Sequence, residues 1–383
     1  CGGGGCARPV RCTWCRSGKY CFQFFFLVSG FVLTLAAVRN GPTNAVWQYA
    51  QVWPLHAFGL LLAVLSAAPL NPLELALVAS LVHAWVTPFH SELNGASWYL
   101  SVLLAFWIVL PVWVRAADRL AAVRGIGGVF GGLVVVWLLT LLLPFLVFVW
   151  PVDFGLQEVD PRMAVTNFVE YSPYSNWQPF AIGILLACLM MLGVEPRTKA
   201  AVFGFLFVAL AGLGVAWFCV PSPGFELGDE YLLLDRGFAL QPFFALLVLG
   251  SVGARHVPNP FHRALTGRLV LYSAKLCWPI FILHQPVHRL CARFMFPLMA
   301  STGPSVYASM AAYPLVLLLV SAVAVQLIDQ PWARLLYRWR RDGVLQGEAE
   351  GQGGKALTYE QLHGAGDTEA PRGSGQRYPR FGG

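Results

Sequence analysis

The chain has 383 residues, 57% hydrophobic and only 12% charged, and its mean hydropathy is +0.61. Soluble domains carry about 25% charged residues, so a water-soluble globular protein is excluded and an all-α, polytopic membrane protein is indicated. The formal net charge of +7 does not point to nucleic acid, because most basic residues sit in short connections and at the two ends, where they orient membrane helices.

The chain opens on CGGGGCARPVRCTWC, and five of its nine cysteines (Cys1, Cys6, Cys12, Cys15 and Cys21) lie in the first 21 residues. Cys12 and Cys15 have the spacing of a metal knuckle, but a lone CxxC without a second ligand pair does not make a zinc site, and no metal is expected. The Gly- and Cys-rich run abuts an apolar segment and does not begin with Met. Residues 1–19 are therefore expected to be a basic N-terminal segment outside the native fold, and the chain is expected to be a fragment. Ten apolar segments follow, at about 20–38, 52–70, 73–90, 97–115, 127–150, 178–194, 199–219, 237–254, 268–290 and 306–328. A membrane domain is expected over 20–340. The remainder, 341–383, is rich in Gly, Glu, Gln and Arg and is expected to be a disordered cytoplasmic tail.

With ten alternating spans, the basic clusters share one side: Arg8 to Lys19, Arg115 to Arg124, Arg197 and Lys199, Arg255 to Arg268, and Arg334 to Arg341. The two longest connections, 151–177 and 220–236, are acidic and fall opposite. Basic connections face the cytoplasm, so both ends are expected to be cytoplasmic. Arg289 and Arg293 dissent, lying on the expected outer side.

Groups able to carry chemistry are few. Asn94, Ser97 and Ser101 recur at i, i+3 and i+7, one helical face, at the start of an apolar stretch. They either line a cavity or cap the helix and bond its neighbours. Ser29 and Gly30 sit mid-segment, and Gly30 with Thr34 makes a small-xxx-small pair, suited to close helix contact or to a thin wall beside a substrate. His56, His83 and His90 lie in the second and third segments. An imidazole inside a membrane segment titrates near neutrality and is a candidate base. Lys275 is embedded in the ninth segment, and His284 and His288 flank Pro286 at i, i+4 without an evident third metal ligand. The last segment ends in IDQPWARLLYRW, an interface anchor with Trp332, Tyr337 and Trp339 at headgroup level and its arginines near anionic lipid.

In order along 20–340, several stretches resemble the acyltransferase-3 family of integral membrane proteins. They are FFFLVSGFVLTL (Phe24 to Leu35), VWPLHAFGLLLA (Val52 to Ala63), NGASWYLSVLLAFWIVLP (Asn94 to Pro111), FILHQPV (Phe281 to Val287) and IDQPWARLLYR (Ile328 to Arg338). That family moves acyl groups onto sugars, lipids or other alcohols. The resemblance implies a bundle of about ten membrane helices and transfer of an acyl group, expected to be acetyl, from an acyl-CoA-type donor to a hydroxyl of a carbohydrate or lipid. It implies no bound cofactor. The family's first helix, whose His is thought to be the general base, has no counterpart here. Gln48 to Val52 replace an Arg-rich lead-in, and Leu103 replaces a Glu.

The expected assignments are therefore Ser29, Asn94, Trp98 and Ser101 as cavity lining, His83 or His284 as proton carriers, and Lys275 against the phosphates of the donor. Two other readings stand beside this one. The chain is a transporter or lipid-handling protein without chemistry, or it is an inactive truncated homologue.

Overall fold

A computed structural model of the chain describes residues 13–41, 44–66, 71–86, 93–149, 168, 171–219, 238–257, 260–295 and 305–341. The paired Cys12 and Cys15 (through Cys12), His90, most of both acidic connections and the tail beyond Arg341 lie outside the described residues. Among the described residues every regular element is helical. The helices are α1 (Thr13–Asn40), α2 (Ala45–Leu65), α3 (Pro72–Ala79), α4 (Ser97–Val149), α5 (Pro173–Met191), α6 (Lys199–Cys219), α7 (Gln241–Gly253), α8 (Pro260–Leu265), α9 (Arg268–Leu290), α10 (Ser305–Ala324) and α11 (Gln330–Arg341). Among the described residues three helices are long and apolar enough to cross a membrane, over Cys21–Arg39, Ser97–Leu142 and Ala311–Trp339. The first helix starts at Thr13, inside the stretch expected to lie outside the fold.

The helices divide into two compact units, one of Cys1–Leu35 with Val112–His262 and the other of Ala36–Pro111 with Arg263–Gly383. In the first unit, α1 and α5 meet at two glycines. A Cβ on Gly30 would collide with the carbonyl of Phe180, and one on Gly183 with the carbonyl of Leu27. The backbones can approach this closely only because both side chains are absent. Of the two roles the sequence allows Gly30, the close helix contact is the one observed. Leu27, Phe31, Ile182, Leu186, Met190, Phe244 and Val248 close around it as the unit's apolar core. The contacts pair Gln23 with Asn176, Gly30 with Phe180 and Phe31 with Gly183. The residue numbers rise together, so α1 and α5 run parallel.

Two of the expected segments, 97–115 and 127–150, form one helix broken at Gly125, whose φ of 59° and ψ of −153° are open to glycine and strained for other residues. The second arm folds back on the first, with Gly128 against Arg124 and Gly132 against Leu120. Helices α6 and α7 are antiparallel, with Gly250 on Leu206 and Gly212 on Phe243.

In the second unit, Gly59 of α2 sits against Ile282 and Leu283 of α9, and the guanidinium of Arg293 donates to Ser66 O at 3.2 Å. Here too the numbers rise together, and α2 and α9 run parallel. Helix α10 runs against α9, with the Tyr313 hydroxyl donating to His284 O at 3.0 Å. After a π-helical turn, α11 returns to the start of α2, where Trp332 Nε1 donates to Ala50 O at 2.7 Å.

The third expected segment is not one long helix. Asn71 caps α3 through bonds from Leu73 N and Glu74 N, and α3 stops after 8 residues, about 12 Å of rise against a bilayer core of about 30 Å. Leu81 then adopts φ 60°, costly for a residue with a branched side chain, and a short 3-10 turn, His83–Trp85, follows. The chain descends beside α2, with Trp53 Nε1 donating to Ala79 O and His56 Nε2 to Val78 O. Ten alternating spans would set α1 against α5 and α2 against α9 in opposite senses. Both pairs are parallel, and dropping 72–85 from the crossings restores the parity within each unit.

Candidate functional site

The second unit gathers most of the residues singled out in the sequence around the break after α3. His83, Asn94, Ser97 and Ser101 are all fully buried. Ser97 Oγ donates to Asn94 O, three residues back, at 2.6 Å and lies 3.2 Å from His83 Nε2. Because the hydroxyl proton is committed to Asn94 O, the imidazole is the donor in the longer contact, with its proton on Nε2. The pair therefore fixes the His83 ring and does not activate Ser97 as a nucleophile, which would require the reverse tautomer.

Ser101 is held just as firmly. Its Oγ accepts from Ala84 N at 3.1 Å, and its carbonyl accepts from Trp85 Nε1 at 2.8 Å. Asn94 Nδ2 donates to Ile282 O on α9 at 3.2 Å, and Asn94 Oδ1 accepts from Ala96 N at 3.3 Å. The polar stripe on α4 thus ties the broken stretch 80–86, the first turn of α4 and α9 to one another. Trp98 is buried edge-on to Tyr99, whose ring in turn meets Phe281 edge-on at 5.4 Å.

His284 is different. Its Nδ1 lies 2.6 Å from Phe281 O, so Nδ1 carries the proton and Nε2 keeps a lone pair, the form that a general base requires. The ring is half-buried beside Phe281. Lys275 is exposed on α9, away from these bonds. Ser29 belongs to the first unit, half-buried on α1 next to the Gly30 contact.

Two contributors were not expected as site residues. The Gln285 amide lies over Gly95, where a Cβ would be 2.5 Å from Oε1 and 2.8 Å from Nε2, and Oε1 is buried without a hydrogen-bond partner. Arg289 Nη1 donates to Leu93 O at 2.8 Å. Arg289 and Arg293 were the dissenting charges in the orientation argument, and both spend their guanidinium groups on backbone carbonyls. That dissent was itself the available signal, because a charge misplaced for orienting helices is often structural or functional.

No family model and no solved structure matches the chain. It is similar to Acyltransferase MdmB of Streptomyces mycarofaciens, 27% identical over 209 residues, 51% of this chain and 52% of that protein. The chain spans about half the length of the curated relative it matches.

Three charged residues of the first unit, Glu195, Arg197 and Arg255, meet at a knot outside the apolar segments. Glu195 is 5% exposed and accepts from Arg255 Nη2 at 2.9 Å and Arg197 Nη2 at 3.2 Å, with His256 Nε2 at 3.1 Å. Burial works against ionisation of Glu195. The hydrogen bond from His256, the charges of Arg255 and His256 and the bond from Arg197 outweigh it, and the carboxyl is held below its ordinary range.

Proposed function

We propose that this chain is an integral membrane O-acyltransferase of the acyltransferase-3 type. It moves an acyl group, acetyl in the simplest case, from an acyl-CoA-type donor to a hydroxyl of a carbohydrate or lipid acceptor. The observation that carries the reading is the similarity to an acyltransferase over half the chain. The geometry of the second unit agrees with it. In the proposed reaction His284 Nε2 takes the acceptor's hydroxyl proton as the oxygen attacks the thioester carbonyl. The backbone N–H groups of the first turn of α4 supply positive potential for the developing oxyanion. The thiol of the donor then leaves with a proton. His83 acts through Ser97 and Asn94, by holding the first turn of α4 in place.

The same proposal sets nine crossings, with 72–85 entering and leaving on one face of the membrane. Parallel packing of α2 with α9 supports this. Cysteines introduced at Asn44, Asn71 and Arg334 test it with a membrane-impermeant thiol reagent. Nine crossings predict labelling of N44C and R334C from one side and of N71C from the other. Ten crossings predict that N71C labels with R334C.

A transporter without chemistry is favoured by one observation, the broken stretch at Leu81, because interrupted helices line substrate paths in transporters. Purified protein in vesicles, given labelled acetyl-CoA and membrane extracts, separates the two readings. Label in an ester product supports the transferase. Folded protein that leaves acetyl-CoA intact and forms no ester contradicts it.

A further inference from the structure

One end of the second unit carries groups that neither its packing nor the proposed chemistry uses. Helix α2 has 21 residues, about 31 Å of rise against a bilayer core of about 30 Å, so Ala45 marks one boundary of that core. Helix α9 runs beside it in step. Gly59 meets Ile282, and the same number of residues back along each helix sets Arg268 level with Ala45. From Arg268 to Lys275 every residue of α9 is exposed, and Leu276 is the first that packs. These two turns are bare on all sides, and they carry Leu269, 81% exposed, with Leu271 and Tyr272 between the two cations. A contiguous exposed patch of this kind marks a surface that something covers. At a membrane boundary the apolar side chains enter the acyl region, and Lys275, two turns deeper, extends its stem back toward the headgroups.

Helix α11 adds a second set at the same level. Ala50 O lies four residues before Pro54, which has no N–H to give it, and the Trp332 indole supplies the missing donor at 2.7 Å. Leu336, one turn on, is buried on the same side. That anchorage decides which face of α11 is turned outward. Arg334 and Arg338 stand together at i, i+4 on the exposed face, with Leu335 and Trp339 exposed beside them. Helix α10 runs against α9 and α11 continues it, so α11 heads outward. Trp339 lies two turns beyond Trp332, about 10 Å, which takes it from the level of Ala50 to that of Asn44, the N-cap of α2. The two arginines therefore flank the boundary that Ala45 and Arg268 define. Neither 268–275 nor 330–341 contains an acidic residue, and Asp329, just before α11, is half-buried.

We propose that this end of the second unit binds the headgroup of an anionic phospholipid in the adjoining leaflet, through Arg268, Arg334 and Arg338. A guanidinium presents two parallel N–H groups to a phosphate, and Leu269, Tyr272 and Trp339 lie against the top of the acyl chains. Phosphatidylcholine has the same phosphate, but its ammonium cancels the charge. Arginines without acidic neighbours favour the lipid that keeps a net negative charge. The proposal rests on the reading that α2 and α9 cross the membrane, which the thiol labelling of N44C tests separately, and it is independent of acyl transfer.

The full chain in dodecyl maltoside micelles tests this, titrated with phosphatidylglycerol that carries a fluorescent acyl chain and, as control, phosphatidylcholine with the same chains. The wild type should bind phosphatidylglycerol saturably and at least fivefold more tightly than phosphatidylcholine. One arginine near a membrane surface is worth about fivefold in binding, so R268Q should weaken phosphatidylglycerol binding by about that factor and the R334Q/R338Q double variant by more. Phosphatidylcholine binding and the unfolding midpoint should not change. Arg115 and Arg119 of the first unit are exposed at the same i, i+4 spacing, but with Asp118 between them, and R115Q/R119Q should leave the affinity as it was. Equal affinity for the two lipids overturns the proposal, as does an equal loss in R115Q/R119Q. Displacement of phosphatidylglycerol by free coenzyme A also overturns it, because the arginines would then serve a soluble phosphate ligand. So does a shift from dimer to monomer in light scattering for R334Q/R338Q with lipid binding intact, which would give the face to a second copy of the chain.

Discussion

The two units solve the same problem, holding helices together where burial of apolar surface gives little drive, by different means. In the first, backbones approach at Gly30 and Gly183, and neutral side chains bond one another across the gap: Gln23, Thr140, Asn176 and Gln241. In the second, side chains bond backbone. Asn94 reaches Ile282 O, Arg289 reaches Leu93 O, Tyr313 reaches His284 O and Trp332 reaches Ala50 O. Two of these carbonyls, Ala50 O and Ile282 O, lie four residues before Pro54 and Pro286 inside α2 and α9, and a proline has no N–H to bond them. The interior of this unit also holds the buried imidazoles of His56 and His83. The first unit is held by close backbone approach and side-chain to side-chain bonds, the second by side-chain bonds to backbone carbonyls.

That contrast predicts different failures. Gly183→Leu in the first unit drives a side chain into the carbonyl of Leu27 on α1, and overpacking of this kind costs about 3 kcal/mol or more. The expected outcome is loss of folded protein, read as a collapsed monodisperse peak in size-exclusion chromatography. A well-folded G183L protein would break the claim that backbone approach specifies this unit. Asn94→Leu in the second unit removes the donor to Ile282 O and should destabilise by about 1–3 kcal/mol, seen as a lower unfolding midpoint with folded protein still recovered. An unchanged midpoint would return Asn94 to the role of a simple cavity wall.

The smallest effect belongs to the charged knot. Glu195 is held below its ordinary range, so its contribution is present above the ordinary carboxyl range and is lost as the pH falls through its folded value. Arg197 and Arg255 are 66% and 37% exposed, and solvent screening keeps the contribution near 1 kcal/mol. Glu195→Gln should lower the unfolding midpoint slightly at pH 7 and flatten its dependence on acid. An unchanged acid dependence would show that other carboxyls set it.

Composition and apolar runs were enough to read an all-helical fold from the sequence, and the polar face of Asn94, Ser97 and Ser101 was legible at helical spacing. The break at 80–86 was not. Residues 73–90 are mostly apolar, with only Glu74, Ser80, His83, Thr87 and His90 between them, and hydropathy does not register that Leu81 adopts a left-handed conformation. Composition also could not separate a span from an excursion that turns back. A turn between 97–115 and 127–150 was legible, but its position was not, because Gly125 stands beside Gly127 and Gly128 at the edge of the second segment and only φ and ψ show which of them turns the chain. Gln285 was passed over because a lone Gln in an apolar run carries no periodic signal. Its significance comes from a partner that is missing in three dimensions. The tautomer of His284 likewise depends on the Phe281 carbonyl one turn back, a bond that residue type alone does not announce.

Assignment of the chemistry to the second unit, with His284 as the base, is tested most directly by single-turnover acyl transfer from labelled acetyl-CoA, comparing wild type with His284→Gln at equal folded concentration. Removing a general base costs on the order of 10²-fold to 10⁴-fold in rate, and the account predicts a loss in that range with the unfolding midpoint retained. Equal rates for the two proteins would contradict it.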